Sequence, residues 1–198
     1  MILLEDSNNK VDKHQKKNRY WEEHGIQVIR QRLPVGDYVL MNEKMADVIR
    51  RKTERGIKVK MMDLVGTYDV CVDEKSSIAE LCQDVCGKDH NRFRDELIFA
   101  QNNGIKLHIL VENDLDPINI KKKVVNTVIY KLEDLHRWTN PRLWIMEKGK
   151  QKYPRATKGS SLMKACMTLQ KKYGCEFHFT SSRKAGAEVL RLLGVPFK

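Results

Sequence analysis

Short apolar segments alternate with longer amphipathic segments along this chain, and this alternation limits the possible folds. Ile2 to Glu5, Tyr68 to Glu74 and Lys106 to Glu112 have the length and apolar content of buried strands. Apolar residues at helical spacing predict helices between them, at about 11–24, 78–86, 90–102, 162–173 and 183–193. Strands that alternate with helices predict an α/β domain with a mixed central sheet flanked by helices on both faces.

Weaker patterns complete this prediction. Strands at 27–33 and 35–40 would pair through Pro34, and a further strand at 175–179 alternates aromatic with polar residues. We also predict a polar helix at 116–138 and a strand at 143–146. The domain division that follows is a core at 1–146, with a charged insertion at about 41–66, and a basic α-β-α extension at 147–198 packed on the same domain.

Positive charge is concentrated near the C-terminus. The chain has 37 Lys and Arg against 26 Asp and Glu, a net charge of +11, and 12 basic against 3 acidic residues lie in 147–198. Such a surface attracts DNA, RNA or an anionic membrane alike.

Membrane and secretion signals are absent from the sequence pattern. No apolar segment approaches the roughly 20 residues that span a bilayer. The acids Glu5 and Asp6 follow the first four apolar residues, which is not the pattern of a signal peptide. We expect a cytoplasmic protein without membrane association.

Cysteine and histidine spacing gives no support to a zinc site. The five cysteines include no CxxC pair, and the six histidines show neither HExxH nor His-x3-His spacing. Reduced structural thiols are the simplest interpretation. Any metal would therefore be a hard cation held by oxygen ligands, and no organic cofactor is expected.

Two acids and a lysine form the candidate reactive group. Side chains alternate along a strand, so Asp73 and Lys75 share a face, whereas Asp69 would lie about 13 Å from Asp73 and is excluded as a ligand. Asp37 closes an earlier strand. Mg²⁺ is usually held by one or two carboxylates, so Asp37 and Asp73 suffice, with the backbone carbonyl near Glu74 as a third ligand. A charged strand end that is only solvated is the alternative interpretation.

Such a group suits phosphodiester hydrolysis. A bound Mg²⁺ (or Mn²⁺) lowers the pKa of a water and offsets charge on the phosphate, while Lys75 orients the nucleophile or the scissile phosphate. The predicted catalytic residues are Asp37, Asp73 and Lys75, and the predicted metal ligands are Asp37, Asp73 and Glu74.

Four motifs in this order resemble the XPF-type nuclease domain of the PD-(D/E)XK superfamily: Gly36-Asp37-Tyr38, Val72 to Lys75, Arg92-Phe93 and Ile109 to Glu112. The resemblance covers about residues 1–113. It implies a restriction-endonuclease-like core and a Mg²⁺- or Mn²⁺-dependent endonuclease that cleaves branched DNA such as a junction, fork or flap. It also implies a homodimer. No helix-hairpin-helix signal follows, which indicates a stand-alone form like those of phage and prophage replication modules.

Carried over by position, Asp37 matches the family's Gly-Asp carboxylate, and Asp73, Glu74 and Lys75 match its Glu-Arg-Lys. Three departures stand out. Asp replaces Glu at 73, which the superfamily permits; Glu74 reverses the charge of the family arginine; and Ala79 stands where the final Asp is expected.

Further residues are expected around this group. Those predicted to support it without binding metal are Asp6, Glu80, Arg92 and Glu96. Glu80 could instead form a capping box with Ser77, and Arg92 and Glu96 could instead form a helix-surface ion pair. Predicted DNA contacts are His90, Arg94, Lys148, Lys150, Lys152, Arg155 and Lys158, with Tyr153 available to stack on an unpaired base; a solvated helix face and loop are the alternatives.

Two rival functions remain open at this stage. One is a sequence-specific endonuclease of another PD-(D/E)XK lineage. The other is an inactive DNA- or partner-binding domain, which the departures at Glu74 and Ala79 favour. The presence of Asp37, Asp73 and Lys75 together favours catalysis.

Overall fold

A computed structural model describes residues 1–9, 15–113 and 128–195. Its strands are β1 (Ile2–Glu5), β2 (Gln27–Arg30), β3 (Tyr38–Leu40), β4 (Val70–Lys75), β5 (Lys106–Glu112), β6 (Met146–Glu147), β7 (Lys150–Gln151) and β8 (Glu176–Thr180). β6 and β7 form a small hairpin, and the other six form one sheet in the order β2-β1-β3-β4-β5-β8. β3 is antiparallel to both of its neighbours, and the other pairs are parallel.

Helices cover both faces of this sheet. They are α1 (Gln15–Glu23), α2 (Glu43–Glu54), α3 (Ile78–Cys86), α4 (His90–Asn102), α5 (Gly159–Tyr173) and α6 (Ala185–Leu192). α1 and α6 lie together on one face, where the Trp21 indole donates to the Gly186 carbonyl at 2.9 Å. α3, α4 and α5 cover the opposite face. The predicted α/β class with a mixed, doubly covered sheet is thus confirmed.

Alternation along β4 shows how the two cores divide. Cys71 packs into the core beneath α3, α4 and α5, whereas Val72 packs into the core beneath α1 and α6. Both side chains are fully buried. Since both faces of β4 are covered, even the charged residues at its end are enclosed by protein.

The predicted pairing of the second and third strands is wrong, because β1 lies between them. Leu4 of β1 is opposite Ile29 of β2 in parallel register and opposite Val39 of β3 in antiparallel register. β1 is apolar and nearly fully buried, so it requires a strand at each edge to satisfy its backbone. α1 provides the crossover that a parallel neighbour needs.

The segment from 41 to 66 and the C-terminal region differ partly from the predictions. The insertion forms α2 and a 3₁₀ helix at Met61–Leu64, with Met45 and Leu64 buried in the core.

Residues 141–144 form a 3₁₀ turn in place of the predicted strand, because Pro141 follows Asn140, whose side chain caps the turn. β8 pairs with β5, so residues beyond 146 complete the sheet; the proposed domain boundary stays a prediction.

Two predicted segments extend outside the described residues: the start of the first helix at 11–14 and most of the helix at 116–138, whose described end is a 3₁₀ helix at Leu132–Arg137. All five cysteines are free thiols, and four are buried. Over the ranges given above, no helix is both long enough and apolar enough to cross a bilayer.

Gly159 marks a close approach between two elements. An added Cβ would lie 2.2 Å from the Leu135 carbonyl oxygen and 2.3 Å from that of Trp138. Gly159→Ala should therefore lower the free energy of unfolding by about 2 to 3 kcal/mol, although alanine favours helices. Urea denaturation checks this. The adjacent, exposed Ser160→Ala is the control and should change stability by less than about 0.5 kcal/mol; equal effects of both changes would contradict the prediction.

Candidate active site

Three consecutive charged residues are buried at the end of β4. Asp73 is 5%, Glu74 2% and Lys75 4% exposed. Strand alternation sends Asp73 and Lys75 towards α3 and α4, and Glu74 towards α1. Buried charges are tolerated only when they are paired, so each face must supply partners.

The ammonium of Lys75 bridges two carboxylates. Its Nζ lies 2.7 Å from Asp73 Oδ2 and 2.8 Å from Asp84 Oδ2, and 5.0 Å from the centre of the Phe93 ring. Arg92 reaches the other oxygen of Asp84 at 3.3 Å. Burial lowers the pKa of Lys75, but Asp73 and Asp84 raise it by more, so the ammonium stays charged.

Asp37 is held against β4 by the backbone. Its Oδ2 accepts from the Glu74 N–H at 2.8 Å, and its own N–H donates to the Val72 carbonyl at 2.8 Å. Gly36 has φ 76°, and a Cβ there would lie 3.0 Å from Cys71 Cβ. Only glycine fits both the left-handed conformation and this approach, which explains the Gly-Asp sequence.

Glu96 of α4 joins the group from a third side. Its Oε1 accepts from the Gly36 N–H at 3.2 Å. Burial raises the pKa of Asp73, Lys75 opposes this, and Glu96 and Asp37 raise it further. Burial also raises the pKa of Glu96, where Asp37 again adds to the effect. We call the four acids Asp37, Asp73, Asp84 and Glu96, together with Lys75 that lies among them, the acid group.

The acid group fits a hard divalent cation. Lys75 contacts both Asp73 Oδ2 and Asp84 Oδ2, and no other donor in the described ranges reaches either buried oxygen. A cation would relieve the mutual repulsion of the carboxylates, and oxygen-only ligands suit Mg²⁺ or Mn²⁺. Within the described residues these acids do not bring three ligand atoms within 4.8 Å of one another. A metal bound there would therefore need water ligands besides the carboxylates.

The Glu74 carboxylate lies outside the acid group, on the opposite face. It forms an ion pair with Lys17 of α1 and accepts from the Tyr38 hydroxyl at 3.1 Å. Lys17 also contacts Glu112 at 2.7 Å. Any metal ligation by Glu74 would therefore use its backbone carbonyl and not its side chain.

The other predicted supporting residues have varied surroundings. Asp6 accepts from the Leu33 N–H at 3.1 Å and pairs with Arg32 at 2.6 Å, which shapes the loop leading to Asp37. Glu80 accepts from the Ser76 N–H at 2.8 Å, and the Ser77 hydroxyl caps α3 by accepting from the Glu80 N–H at 3.1 Å. Arg92 pairs with Asp84, as described above, and not with Glu96.

Sequence reasoning missed Asp84. It lies on α3 beside the buried Leu81 and Val85, among the apolar positions of that helix. An acid within an apolar helical stripe signals a buried partner of opposite charge, since an unpaired buried carboxylate is costly. That signal was available in the sequence.

Basic residues line a cavity beside α3. Its volume is about 450 Å³, and its walls include Ala79 and Gln83 of α3 and the stretch from Lys152 to Thr157. The Tyr153 ring centre is 5.8 Å from both Arg142 Cζ and Lys152 Nζ. We call this cavity the basic groove. Asp84 of the acid group lies on a different face of α3 from the groove residues Ala79 and Gln83.

The other predicted DNA contacts are spread over the surface. Lys148 lies in the turn of the β6–β7 hairpin with φ 49°, and Lys150 follows in β7. Lys158 caps α5. His90 Nδ1 donates to the Val85 carbonyl at 2.7 Å at the start of α4, and Arg94 pairs with the adjacent Asp95.

Comparisons with known proteins give one family and one fold. Residues 9–193 match the model of the ERCC4 domain. The structure of XPF from Aeropyrum pernix matches with a TM-score of 0.53 and 14% identity, covering 100% of this chain and 62% of that one. XPF from Aeropyrum pernix in complex with DNA matches with a TM-score of 0.52 and 14% identity, covering 98% and 64%.

This chain thus spans less than two thirds of the length of those XPF chains. At 14% identity the likeness shows a shared fold. No curated protein sequence matches.

Glu74→Gln should change how stability depends on pH. Burial and Glu112 raise the pKa of Glu74 from 4.5 to about 8, against the effect of Lys17. The folded state therefore holds this proton more tightly, and ionisation of Glu74 lowers stability as pH rises from about 4.5 to about 8. Relative to wild type, the variant should therefore become progressively more stable as pH rises through this window. Above about pH 8 the difference between the two proteins should stay constant.

Urea denaturation across this pH range measures the difference between the two proteins. The exposed Glu147→Gln is the control for the same chemical change at the surface and should change stability by less than about 0.5 kcal/mol. A difference for Glu74→Gln that stays constant across this pH range would contradict the assigned pKa.

Proposed function

Because the chain belongs to the ERCC4 domain family, we propose that it is a metal-dependent DNA endonuclease of the PD-(D/E)XK type. The observation that carries this proposal is the buried Asp73–Lys75 pair beside Asp37 at the end of a central strand. A catalytic site needs acids for a metal and a cation for the phosphate, and these three residues supply both.

Each residue of the acid group has a defined task in this proposal. Asp37 and Asp73 would hold Mg²⁺ or Mn²⁺, which lowers the pKa of water and offsets charge on the phosphate when bound. Lys75, fixed by Asp73 and Asp84, stabilises the phosphate oxygens and orients the attacking water. Glu96 holds the Gly36-Asp37 turn in place.

Branched DNA is the proposed substrate class. The basic groove offers Arg142, Lys152 and Arg155 to the phosphates and Tyr153 to a base. An aromatic ring between cations is typical of sites that bind unpaired nucleotides, because every base can stack on it. The neighbouring structure of XPF bound to DNA supports nucleic acid as the ligand.

Three parts of the proposal rest on the family resemblance or on composition. They are a homodimer, a preference for a junction, fork or flap, and an intracellular location. We retain them as predictions, together with the roles of His90, Arg94, Lys148, Lys150 and Lys158 as phosphate contacts.

Asp73→Asn should lower the cleavage rate at least about 100-fold, because it removes a charge from the proposed metal site. The assay uses labelled duplex, fork, flap and four-way junction DNA with Mg²⁺, Mn²⁺ or EDTA. Asp69→Asn is the matched control: the same chemical change on the same segment, at an exposed residue, which should leave the rate unchanged.

Other outcomes of this assay would assign other functions. Binding of DNA without cleavage under any metal condition would indicate an inactive DNA-binding domain. Discrete bands from linear duplex would indicate sequence-specific cleavage. Equal rates for Asp73→Asn and wild type would show that the acid group is not the catalytic site.

Tyr153→Ala should weaken binding to forked DNA about 10-fold and leave duplex binding unchanged, since stacking contributes about 1 to 3 kcal/mol per base. Fluorescence anisotropy with Asp73→Asn as background measures binding without cleavage. Tyr153→Phe should bind normally, and Tyr130→Ala, at another exposed tyrosine, is the matched control. An equal loss for fork and duplex would exclude base stacking.

A further inference from the structure

Two histidines and a glutamate meet where β5 pairs with the edge strand β8. His108 is opposite Glu176 in parallel register, and His178 lies two residues further along β8. All three side chains point to the face covered by α6, since residues two apart on a strand share a face. Asp73 points to the other face, so this cluster is separate from the acid group.

The three side chains bring their ligand atoms close together. His108 Nδ1 lies 3.0 Å from His178 Nε2, and Glu176 Oε2 lies 3.4 Å from the first and 3.5 Å from the second. The point equidistant from these atoms is about 1.9 Å from each, which follows from the three separations. Zinc bonds to nitrogen and oxygen are about 2.0 to 2.2 Å long, so an ion slightly out of this plane would contact all three.

We propose that His108, Glu176 and His178 form a binding site for a transition-metal ion, with Zn²⁺ as the expected occupant. Two imidazoles and one carboxylate suit Zn²⁺ and its neighbours, whereas Mg²⁺ prefers oxygen ligands. Three protein ligands leave a fourth position for water. The ion would join the edge strand β8 to β5 and stabilise the folded protein.

A hydrogen bond between the two rings is the competing explanation. One neutral imidazole can donate to the other at 3.0 Å. It does not account for Glu176 Oε2, whose separations of 3.4 and 3.5 Å are long for hydrogen bonds. Lys106 holds the other oxygen of Glu176 at 2.8 Å, which leaves Oε2 facing the rings. A metal ion accounts for all three atoms.

The surroundings of the two histidines leave a route from solvent to the proposed metal site. The His178 side chain is 23% exposed and borders an open surface groove together with Glu188 and Arg191 of α6. Arg191, the nearest cation of α6, is bound to Glu188 at 2.6 Å. Burial lowers the pKa of both rings, that of His108 to about 4, so the metal-free rings are neutral at pH 7, which is the form that binds metals.

The test is Zn²⁺ binding by the full chain. After removal of metals with EDTA, the protein is dialysed against Zn²⁺, its bound zinc is counted by elemental analysis, and its melting temperature is recorded. Wild type should retain one ion through this site and melt about 5 to 10 °C higher when Zn²⁺ exceeds the dissociation constant about 100-fold. Cobalt should bind the same site and give a visible absorption band.

Variants locate the ion. His178→Gln should lose one equivalent of zinc and the rise in melting temperature, while His136→Gln, at an exposed histidine elsewhere, should lose neither. Asp73→Asn removes zinc bound at the acid group and should retain this equivalent. Circular dichroism verifies folding, and Glu176→Gln replaces His178→Gln if the latter does not fold. Retention of the ion by His178→Gln or Glu176→Gln would overturn the proposal, as would the absence of zinc binding by wild type.

Discussion

The burial of three consecutive charges at the end of β4 is the constraint on which the surrounding structure depends. A buried charge costs several kcal/mol unless a partner of opposite charge is held beside it. Alternation sends Asp73 and Lys75 to one face and Glu74 to the other, so two separate sets of partners are required. α3 provides Asp84 to one face, and α1 provides Lys17 to the other. The positions of these helices are thus tied to the charges of one strand.

Glu74 illustrates how the sequence departs from its family and remains foldable. The family pattern has an arginine at this position, and a buried acid there would be destabilising by itself. Lys17 supplies the missing positive charge from α1, and the Tyr38 hydroxyl donates to the same carboxylate. When Glu74 is ionised, its negative charge is therefore balanced on its own face by Lys17. It leaves Asp73 and Lys75 unaffected, because they lie across the sheet.

Local patterns in the sequence predicted much of the fold and named four of the five residues of the acid group, all except Asp84. The helices at 78–86 and 90–102 and the strand at 106–112 agree with the structure residue for residue, because each has a clear period and a clear stop signal. The pairing of β1 between β2 and β3 is a long-range choice that no local period encodes. For Asp84, the place of an acid in the apolar stripe of α3 signals a buried partner, but the identity of that partner, Lys75, depends on how α3 packs.

The cluster of His108, Glu176 and His178 is likewise assembled by long-range strand pairing. His108 and His178 are 70 residues apart in sequence, so spacing motifs cannot detect a site that only strand pairing assembles. The sheet then separates two ligand sets: oxygen atoms alone on the face of α3, and two nitrogens with one oxygen on the face of α6. Transition metals bind most N- and O-ligand sites more tightly than Mg²⁺, so affinity alone would not reserve the acid group for Mg²⁺. The proposed nitrogen-rich site on the opposite face would select Zn²⁺ by ligand type, while the acid group would depend on the abundance of Mg²⁺ to be filled by that ion.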